Sequence, residues 1–211
     1  FSDAANNSMY THDVSGTDST AAGNTAYGFI AMDAITTGDN NTALGHAAGS
    51  AINSGEKNVT IGAQAGDALT TGSSNVAVGM RALTTEDTGS KNTAVGFEVL
   101  QNLNFDGDGW NVAVGYEAGK VVSTGIKNTS IGARTMQATT VGQENVALGY
   151  QAMYTNVDGS KCVAIGANAL LTQDPASAVD MYNVAVGYNA GYAITTGINN
   201  TLIGSLAGDA L

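Results

Sequence analysis

The chain has 211 residues and a formal net charge of −11, with 18 Asp and Glu residues against seven Lys and Arg. This acidic balance disfavours nucleic acids and anionic membrane surfaces as partners, because binding to both depends on clustered cations. Hydrophobic residues make up 43% of the chain and aromatic residues only 6%, which is too little bulk for a large globular core. No stretch has the length of a membrane span, and no signal peptide is visible. Because the chain begins with Phe1 rather than Met, we expect it to be part of a longer protein.

Residues 1–23 form an irregular N-terminal or linker segment in this interpretation, and residues 24–211 form one repeat domain. The repeat opens with Asn-(Thr/Val)-x-(aliphatic)-Gly, and Cys replaces Asn in the ninth copy. Most copies follow one another at a constant interval of about 17 residues, and a fixed short period predicts a solenoid. The eleven copies open at Asn24, Asn41, Asn58, Asn75, Asn92, Asn111, Asn128, Asn145, Cys162, Asn183 and Asn200.

Two glycines recur in the repeat and indicate corners of the chain. The fifth position is glycine in every copy: Gly28, Gly45, Gly62, Gly79, Gly96, Gly115, Gly132, Gly149, Gly166, Gly187 and Gly204. A second glycine commonly stands three residues before the next asparagine: Gly38, Gly55, Gly72, Gly89, Gly125, Gly142, Gly159 and Gly197. Two corners in each copy of the repeat leave room for two short strands in each coil.

The alternation within "NVAVG", with β-branched residues in the second and fourth positions, predicts strands rather than helices. A repeat unit of this length is also too short for a pair of helices. The fold class is therefore all-β, a parallel β-solenoid of about eleven coils. Coils stacked about 4.8 Å apart would form a rod roughly 50 Å long. The stacked asparagines are expected either to form an amide ladder between coils or only to tolerate a tight corner.

Two connectors are longer than the others, at residues 101–110 and 171–182. Insertions are pushed outward at corners, where loops carry variable chemistry. The first connector brings Phe105 and Trp110, and the second brings Met181 and Tyr182. These four residues are the candidate recognition surface. The alternative is that they fold back and cover the coil wall.

The first connector also contains a weak candidate for calcium binding. The residues that resemble the first half of an EF-hand loop are Asn102, Asn104, Asp106 and Asp108, in "NLNFDGDGW". The bidentate Glu of that motif is missing, because Ala113 stands at its place. We therefore favour a bulge of turn-forming residues and expect neither a metal nor a cofactor.

No arrangement of residues meets the requirements of an enzyme active site. Cys162 is a lone thiol, and His12 and His46 lack a nucleophile at catalytic spacing. The acidic pairs Glu86–Asp87 and Asp106–Asp108 fall in connectors, where we expect their charges to be solvated. We expect a non-enzymatic protein. A glycan-cleaving spike, which needs two carboxylates across a sugar-sized gap, remains the less favoured alternative.

The repeated "N-T/V-A-V/I/L-G-x-x-A-G" resembles the Hep/Hag-type head repeats of trimeric autotransporter adhesins and the repeated shafts of phage tail fibres. The resemblance covers all eleven copies, and "NTAVG" at Asn92 and "CVAIG" at Cys162 match the adhesin core. Adhesin heads commonly have a shorter coil than this repeat, which favours the fibre shafts. The resemblance implies a homotrimer of left-handed β-rolls on a virion or bacterial surface, and it assigns no binding residue.

The residues give a separate reason to expect a trimer, because both faces of "NVAVG" are apolar. We expect the Val, Thr, Ile and Leu residues to face the coil interior and the Ala and Gly face to contact a neighbouring chain. Replacing Ala94 or Ala113 by Leu should then disrupt assembly by overpacking.

The predicted function is a structural fibre module for projection and host attachment, with a host-surface glycan or protein as a further partner. The alternatives are a bacterial adhesin head and, as a minor one, an ice-binding solenoid, whose threonine array is interrupted at Asn53–Ser54 and Val141. Flanking sequence would distinguish fibre from adhesin.

Overall fold

The computed structural model describes residues 2–3, 8–10 and 20–210, and every regular element in these ranges is a β-strand. The strands recur with the sequence repeat and form a parallel β-solenoid of about eleven coils of about 17 residues. The predicted fold class is confirmed. The chain divides into two compact units, Phe1–Gly109 and Trp110–Leu211.

The first unit contains seven strands. They are β1 (Ser2–Asp3), β2 (Ser8–Tyr10), β3 (Thr25–Tyr27), β4 (Thr42–Leu44), β5 (Val59–Ile61), β6 (Val76–Val78) and β7 (Thr93–Val95). β1 and β2 lie within residues 1–23, where the sequence predicts an irregular segment, and they pair antiparallel. From β2 onward each strand pairs in parallel with the next. The register follows the sequence repeat, as in Ala43 opposite Thr60 and Thr60 opposite Ala77.

The second unit contains eight strands. They are β8 (Val112–Val114), β9 (Thr129–Ile131), β10 (Val146–Leu148), β11 (Gly159–Ser160), β12 (Val163–Ile165), β13 (Val179–Asp180), β14 (Val184–Val186) and β15 (Thr201–Ile203). β8, β9, β10, β12, β14 and β15 form one parallel ladder, and β11 pairs with β13 beside it. The expectation of two strands in every coil is wrong. Each coil has one three-residue strand, and in this unit only β11 and β13 add a second one.

The rest of each coil consists of turns with a repeated left-handed backbone. Counting the asparagine as position 1, the residues at positions 7, 9 and 17 have positive φ whether or not they are glycine, as at Gln64 (59°), Met136 (49°) and Lys57 (58°). Such angles are uncommon for residues with a side chain. Stacking enforces them, because N–H groups must point alternately to the coils on either side. The N–H of Gln64 donates to His46 O of the preceding coil (2.9 Å), and that of Met136 donates to Ala152 O of the following coil (3.0 Å).

The asparagines at position 1 are buried and form a hydrogen-bonded column through each unit. Each carboxamide oxygen accepts the backbone N–H of the asparagine one coil later, as from Asn58 to Asn41 (2.9 Å) and from Asn128 to Asn111 (3.0 Å). Some side-chain amides also meet directly, such as those of Asn58 and Asn41 at 3.1 Å. The predicted ladder is therefore confirmed over the alternative in which asparagine only tolerates a corner.

The side-chain nitrogen of the same asparagines fixes the second recurrent glycine. Asn41 Nδ2 donates to Gly55 O (2.9 Å), and Asn128 Nδ2 donates to Gly142 O (2.8 Å). These glycines need no positive φ. They are glycine because the next coil lies too close for a side chain, and a Cβ on Gly38 would collide with Gly55 O.

The interior of each coil is narrow and is filled by four columns besides the asparagines. Positions 3 and 8 are mostly fully buried alanines, such as Ala77 and Ala82. Position 9 holds either a large apolar residue or glycine, and position 12 holds a large apolar side chain in most coils, such as Ile52 and Leu69. A Cβ on Gly49 would lie 2.6 Å from Ile52 Cδ1, which shows how little space remains.

The predicted orientation of the strands is wrong. The alanines at position 3, including Ala94 and Ala113, face the coil interior, and the β-branched residues at positions 2 and 4 face outward. The space behind this wall is narrow, so position 3 holds mainly alanine, with Thr60 and Ser130 as buried polar exceptions. Enlarging Ala94 or Ala113 to Leu would therefore overpack the coil itself rather than a contact between chains.

We expect Asn75→Ala to destabilise the fold by roughly 2–6 kcal/mol, because it removes the acceptor for the Asn92 N–H and the donor for Gly89 O, both buried. Guanidinium denaturation followed by circular dichroism measures the change. The matched control is Asn104→Ala in the same unit, which removes an exposed asparagine and should change stability little. Equal midpoints for the two variants would contradict a supporting role for the column.

Candidate functional site

The outward face of the strand ladder is the most regular exposed apolar surface in each unit. We call positions 2 and 4 of all coils the strand face. No charged residue stands at either position in any coil. Its exposed members include Leu44 in the first unit and Ile131, Leu148 and Ile165 in the second. Contiguous apolar surface that is repeated coil after coil is typical of a contact with another protein.

A second exposed column follows the strand face at position 6. In the second unit large and small residues alternate there in successive coils: Tyr116, Ala133, Tyr150, Ala167, Tyr188 and Ser205. We call this set the tyrosine column. The corresponding residues of the first unit are Phe29, His46, Ala63, Met80 and Phe97, which show no such alternation.

Position 7 of the second unit carries a polar side chain in five of its six coils, and two pairs of these side chains bond between coils. This polar column consists of Glu117, Arg134, Gln151, Asn168 and Asn189. Arg134 Nε donates to Glu117 Oε2 (3.1 Å), and Asn168 Nδ2 donates to Asn189 Oδ1 (3.0 Å). Desolvation acts to raise the pKa of Glu117, but hydrogen bonds from Lys120 and Arg134 outweigh it and lower the pKa.

The first long connector separates its two candidate recognition residues. Phe105 is partly buried, and its N–H donates to Glu86 Oε2 (3.2 Å). Trp110 is exposed, but it stands at position 17, the ordinary place before the asparagine, and has the φ of 52° typical of that place. It is therefore part of the regular coil rather than of the inserted residues.

The second connector divides its candidates in the same way. Met181 is fully buried in the core cluster of the second unit and cannot contact a partner, so its assignment to a recognition surface is wrong. Tyr182 is exposed at position 17. Its hydroxyl donates to Asp180 Oδ2 (3.1 Å), and Lys161 Nζ lies 5.5 Å from its ring centroid. Lys161 also pairs with Asp180 at 2.7 Å, which lowers the pKa of Asp180.

The two acidic calcium candidates bond to side chains of the preceding coil. Asp108 Oδ2 forms an ion pair with Lys91 Nζ at 2.7 Å, and Asp106 Oδ1 accepts a hydrogen bond from Thr88 Oγ1 (3.3 Å). Asn102 and Asn104 are exposed. Within residues 20–210 no three His, Cys, Asp or Glu side chains are grouped so that they could hold a metal ion.

The prediction that Glu86 is solvated is wrong. Glu86 stands at position 12, between the places of Leu69 and Leu103, and is fully buried. Its carboxylate accepts the N–H of Gly89 (2.7 Å) and of Phe105 (3.2 Å), so it anchors the first connector to the coil. Burial raises the pKa of Glu86 above its ordinary value, although these two hydrogen bonds act in the opposite direction.

Cys162 takes the place of asparagine in the column, and Gln173 supplies the missing amide. The N–H of Cys162 donates to Asn145 Oδ1 (2.9 Å), as an asparagine would at this place. The buried Gln173 donates through Nε2 to Cys162 Sγ (3.3 Å) and accepts from Asn183 Nδ2 through Oε1 (2.8 Å). Burial raises the pKa of the Cys162 thiol. The cysteine is thus a structural residue, as the sequence indicated.

The remaining candidates for catalysis have no suitable neighbours in the described part of the chain. The ring of His46 stacks on Phe29, with centroids 5.9 Å apart, and His12 lies outside the described residues. Glu86 is enclosed, and the lowered pKa of Glu117 is the opposite of what a general acid requires. Hydroxyls of the threonine corners, such as those of Thr70 and Thr140, donate to carbonyls of the next coil, which leaves them less suited to ordering ice.

No protein-family model matches the chain, and no curated protein or solved structure resembles it significantly. Residues 20–210 contain no helix, and thus none of the length and hydrophobicity that crossing a membrane requires.

We expect the stability of the chain relative to Glu86→Gln to increase as the pH falls from 8 towards 4.5. The pKa of Glu86 is raised in the folded state, so its ionised form is disfavoured there, and protonation between the raised value and the ordinary value of 4.5 relieves this cost. Denaturation midpoints of the two proteins at several pH values measure the difference. A wild type that loses stability relative to Glu86→Gln on acidification would show that the two backbone hydrogen bonds outweigh burial.

Proposed function

We propose that the chain is a non-enzymatic structural module of a surface fibre, which assembles as a homotrimer and serves in projection and host attachment. The observation that carries this proposal is the strand face. It presents aliphatic and threonine side chains to solvent in coil after coil, whereas the columns at positions 7 and 17 carry the polar and charged residues.

Symmetry explains why a second copy of the chain is the partner that fits the strand face. Parallel copies related by a rotation axis bring each coil against the same coil of the neighbour. A column close to such an axis must therefore tolerate contact with itself at every level. The strand face meets this condition, because its residues are uncharged and, apart from Tyr27, similar in size from coil to coil. The resemblance to trimeric head repeats favours three copies over two.

The absence of a catalytic arrangement in the described residues supports a structural role over a glycan-cleaving spike. Among the candidate carboxylates in the described part of the chain, Glu86 is enclosed and Asp108 is paired with Lys91. Asp106 accepts a hydrogen bond from Thr88. Each inner coil forms backbone hydrogen bonds to the coil before it and the coil after it, and a stack of such coils is suited to be a stiff spacer. The head of a bacterial trimeric adhesin is the second candidate, and the same strand face supports it equally.

We expect the purified protein to have the mass of three 21.2 kDa chains in light scattering coupled to size exclusion. The double variant Leu148→Lys/Ile165→Lys should lose the trimer, because it places six ammonium groups at the shared contact. The matched control is Val141→Lys/Ile198→Lys, which makes the same type of change at exposed positions outside the strand face.

A wild-type monomer with intact β-structure would contradict the proposed assembly. Loss of the trimer in the control as well would show that added charge, rather than the strand face, is responsible.

A further inference from the structure

The tyrosine column has a feature that a contact between copies does not explain. Tyr116, Tyr150 and Tyr188 are about half exposed, and Ala133 and Ala167 lie between them. In a rotationally symmetric assembly without axial displacement, a column at the axis meets itself. Rings would then crowd one another at one level, and alanines would leave a gap at the next. The uniform strand face is suited to that place, and the alternating column is not.

The backbone holds the rings of this column at fixed intervals. The hydrogen-bond ladder continues past the strands through position 6, since Tyr116 O accepts from Arg134 N (2.8 Å), Tyr150 O from Asn168 N (2.9 Å) and Tyr188 O from Leu206 N (2.8 Å). Successive coils of a parallel ladder are about 4.8 Å apart, so tyrosines in every second coil are about 9.6 Å apart. The insertion in the coil that begins at Cys162 leaves the ladder intact, because Asn189 N still donates to Ala167 O (3.0 Å).

The polar column beside the rings supplies a planar hydrogen-bonding group in each coil from Glu117 to Asn189. The guanidinium of Arg134 lies 5.8 Å from the ring centroid of Tyr116 and is held by Glu117. Gln151 and the linked pair Asn168 and Asn189 continue the column with neutral amides. Amides and a guanidinium next to flat aromatic faces can bond hydroxyl groups while the rings contact an apolar surface.

A pyranose ring has this combination of surfaces, with an apolar C–H face and hydroxyls at its edge. The interval of about 9.6 Å between tyrosines is roughly the length of two sugar units in an extended chain, so every second sugar meets a ring. The net charge of −11 opposes a polyanion. We propose that the tyrosine column, flanked by the polar column, is a binding site for an extended, uncharged polysaccharide. This proposal rests on the attachment role proposed above and specifies its ligand.

The full chain should be tested by native affinity electrophoresis in gels that contain hydroxyethylcellulose, mixed-linkage β-glucan or galactomannan, with alginate as the anionic comparison. We expect retardation by at least one neutral polymer and none by alginate. Titration calorimetry with oligosaccharides of that polymer should show affinity rising steeply once the chain reaches from one tyrosine to the next. An affinity independent of length would overturn the proposal without any variant.

Substitutions then assign the site. Tyr150→Ala should weaken binding about tenfold through the loss of one stacked ring, and Tyr150→Phe should retain most of the affinity. Tyr192→Ala is the matched control, because Tyr192 is an exposed tyrosine of the same unit outside the column, and it should bind like the wild type. Circular dichroism confirms that each variant is folded.

The proposal is overturned if no neutral polymer retards the protein, or if replacing all three column tyrosines by alanine leaves binding unchanged. Light scattering on the same samples separates this result from the proposed function. A trimer that does not bind refutes only the polysaccharide site, and a monomer that binds through the tyrosines refutes only the proposed assembly.

Discussion

Buried hydrogen bonds from one asparagine column hold the coils of each unit in register. An ordinary coil has one three-residue strand, which is too short to specify its own pairing. The carboxamide at position 1 adds a bond to the backbone N–H one coil later and another to a glycine carbonyl near the end of its own coil. Both backbone groups are buried, so leaving either unpaired would cost free energy. In the ordinary coils the column thus fixes both the start and the end of the coil.

The exceptional coil shows that the hydrogen bonds matter more than the identity of the residue. Where Cys162 replaces the asparagine, Gln173 enters from position 12 and provides the amide that Asn183 requires. Position 12 holds apolar residues such as Ile52 in most other coils, so one column gives up a hydrophobic contact here to complete the other. The two coils with insertions depart from the ordinary pattern. Asn92 Nδ2 donates to Ser90 O (3.2 Å), and the coil that contains residues 171–182 begins with Cys162, which has no carboxamide.

The sequence predicts the solenoid well, because period and glycine spacing report directly on stacked coils. It predicts the strand orientation poorly, because valine and isoleucine are usually core residues and alanine is a weak signal for either side. Because the interior of the coil is narrow, the small residues of position 3, such as Ala77, face inward, and the valines and isoleucines of positions 2 and 4 face outward. Nothing in residues such as Lys57 or Trp110 indicates positive φ, which stacking imposes. The burial of Glu86 was predictable, however, since the repeat spacing aligns it with Leu69 and Leu103.

For the candidate site as well, features that recur in every coil are better predictors than single unusual residues. The predicted recognition surface consists of rare residue types in the long connectors, yet Met181 belongs to the core and Trp110 takes the ordinary place before the next asparagine. The alternation of the tyrosine column is visible in the aligned repeats, but its meaning depends on which side of the coil faces solvent. Only the structure supplies that information, by placing the alanines of position 3 inside.

Residue-resolved amide hydrogen exchange tests the role of the asparagine column most directly. If the column holds the coils, the N–H groups of Asn58, Asn75, Asn128 and Asn145 should exchange as slowly as those of the neighbouring strands, close to the limit set by global unfolding. Exchange at these four amides as fast as at the exposed Asn102 would contradict the account, because it would show that the bonds to the preceding carboxamides open without unfolding the coil.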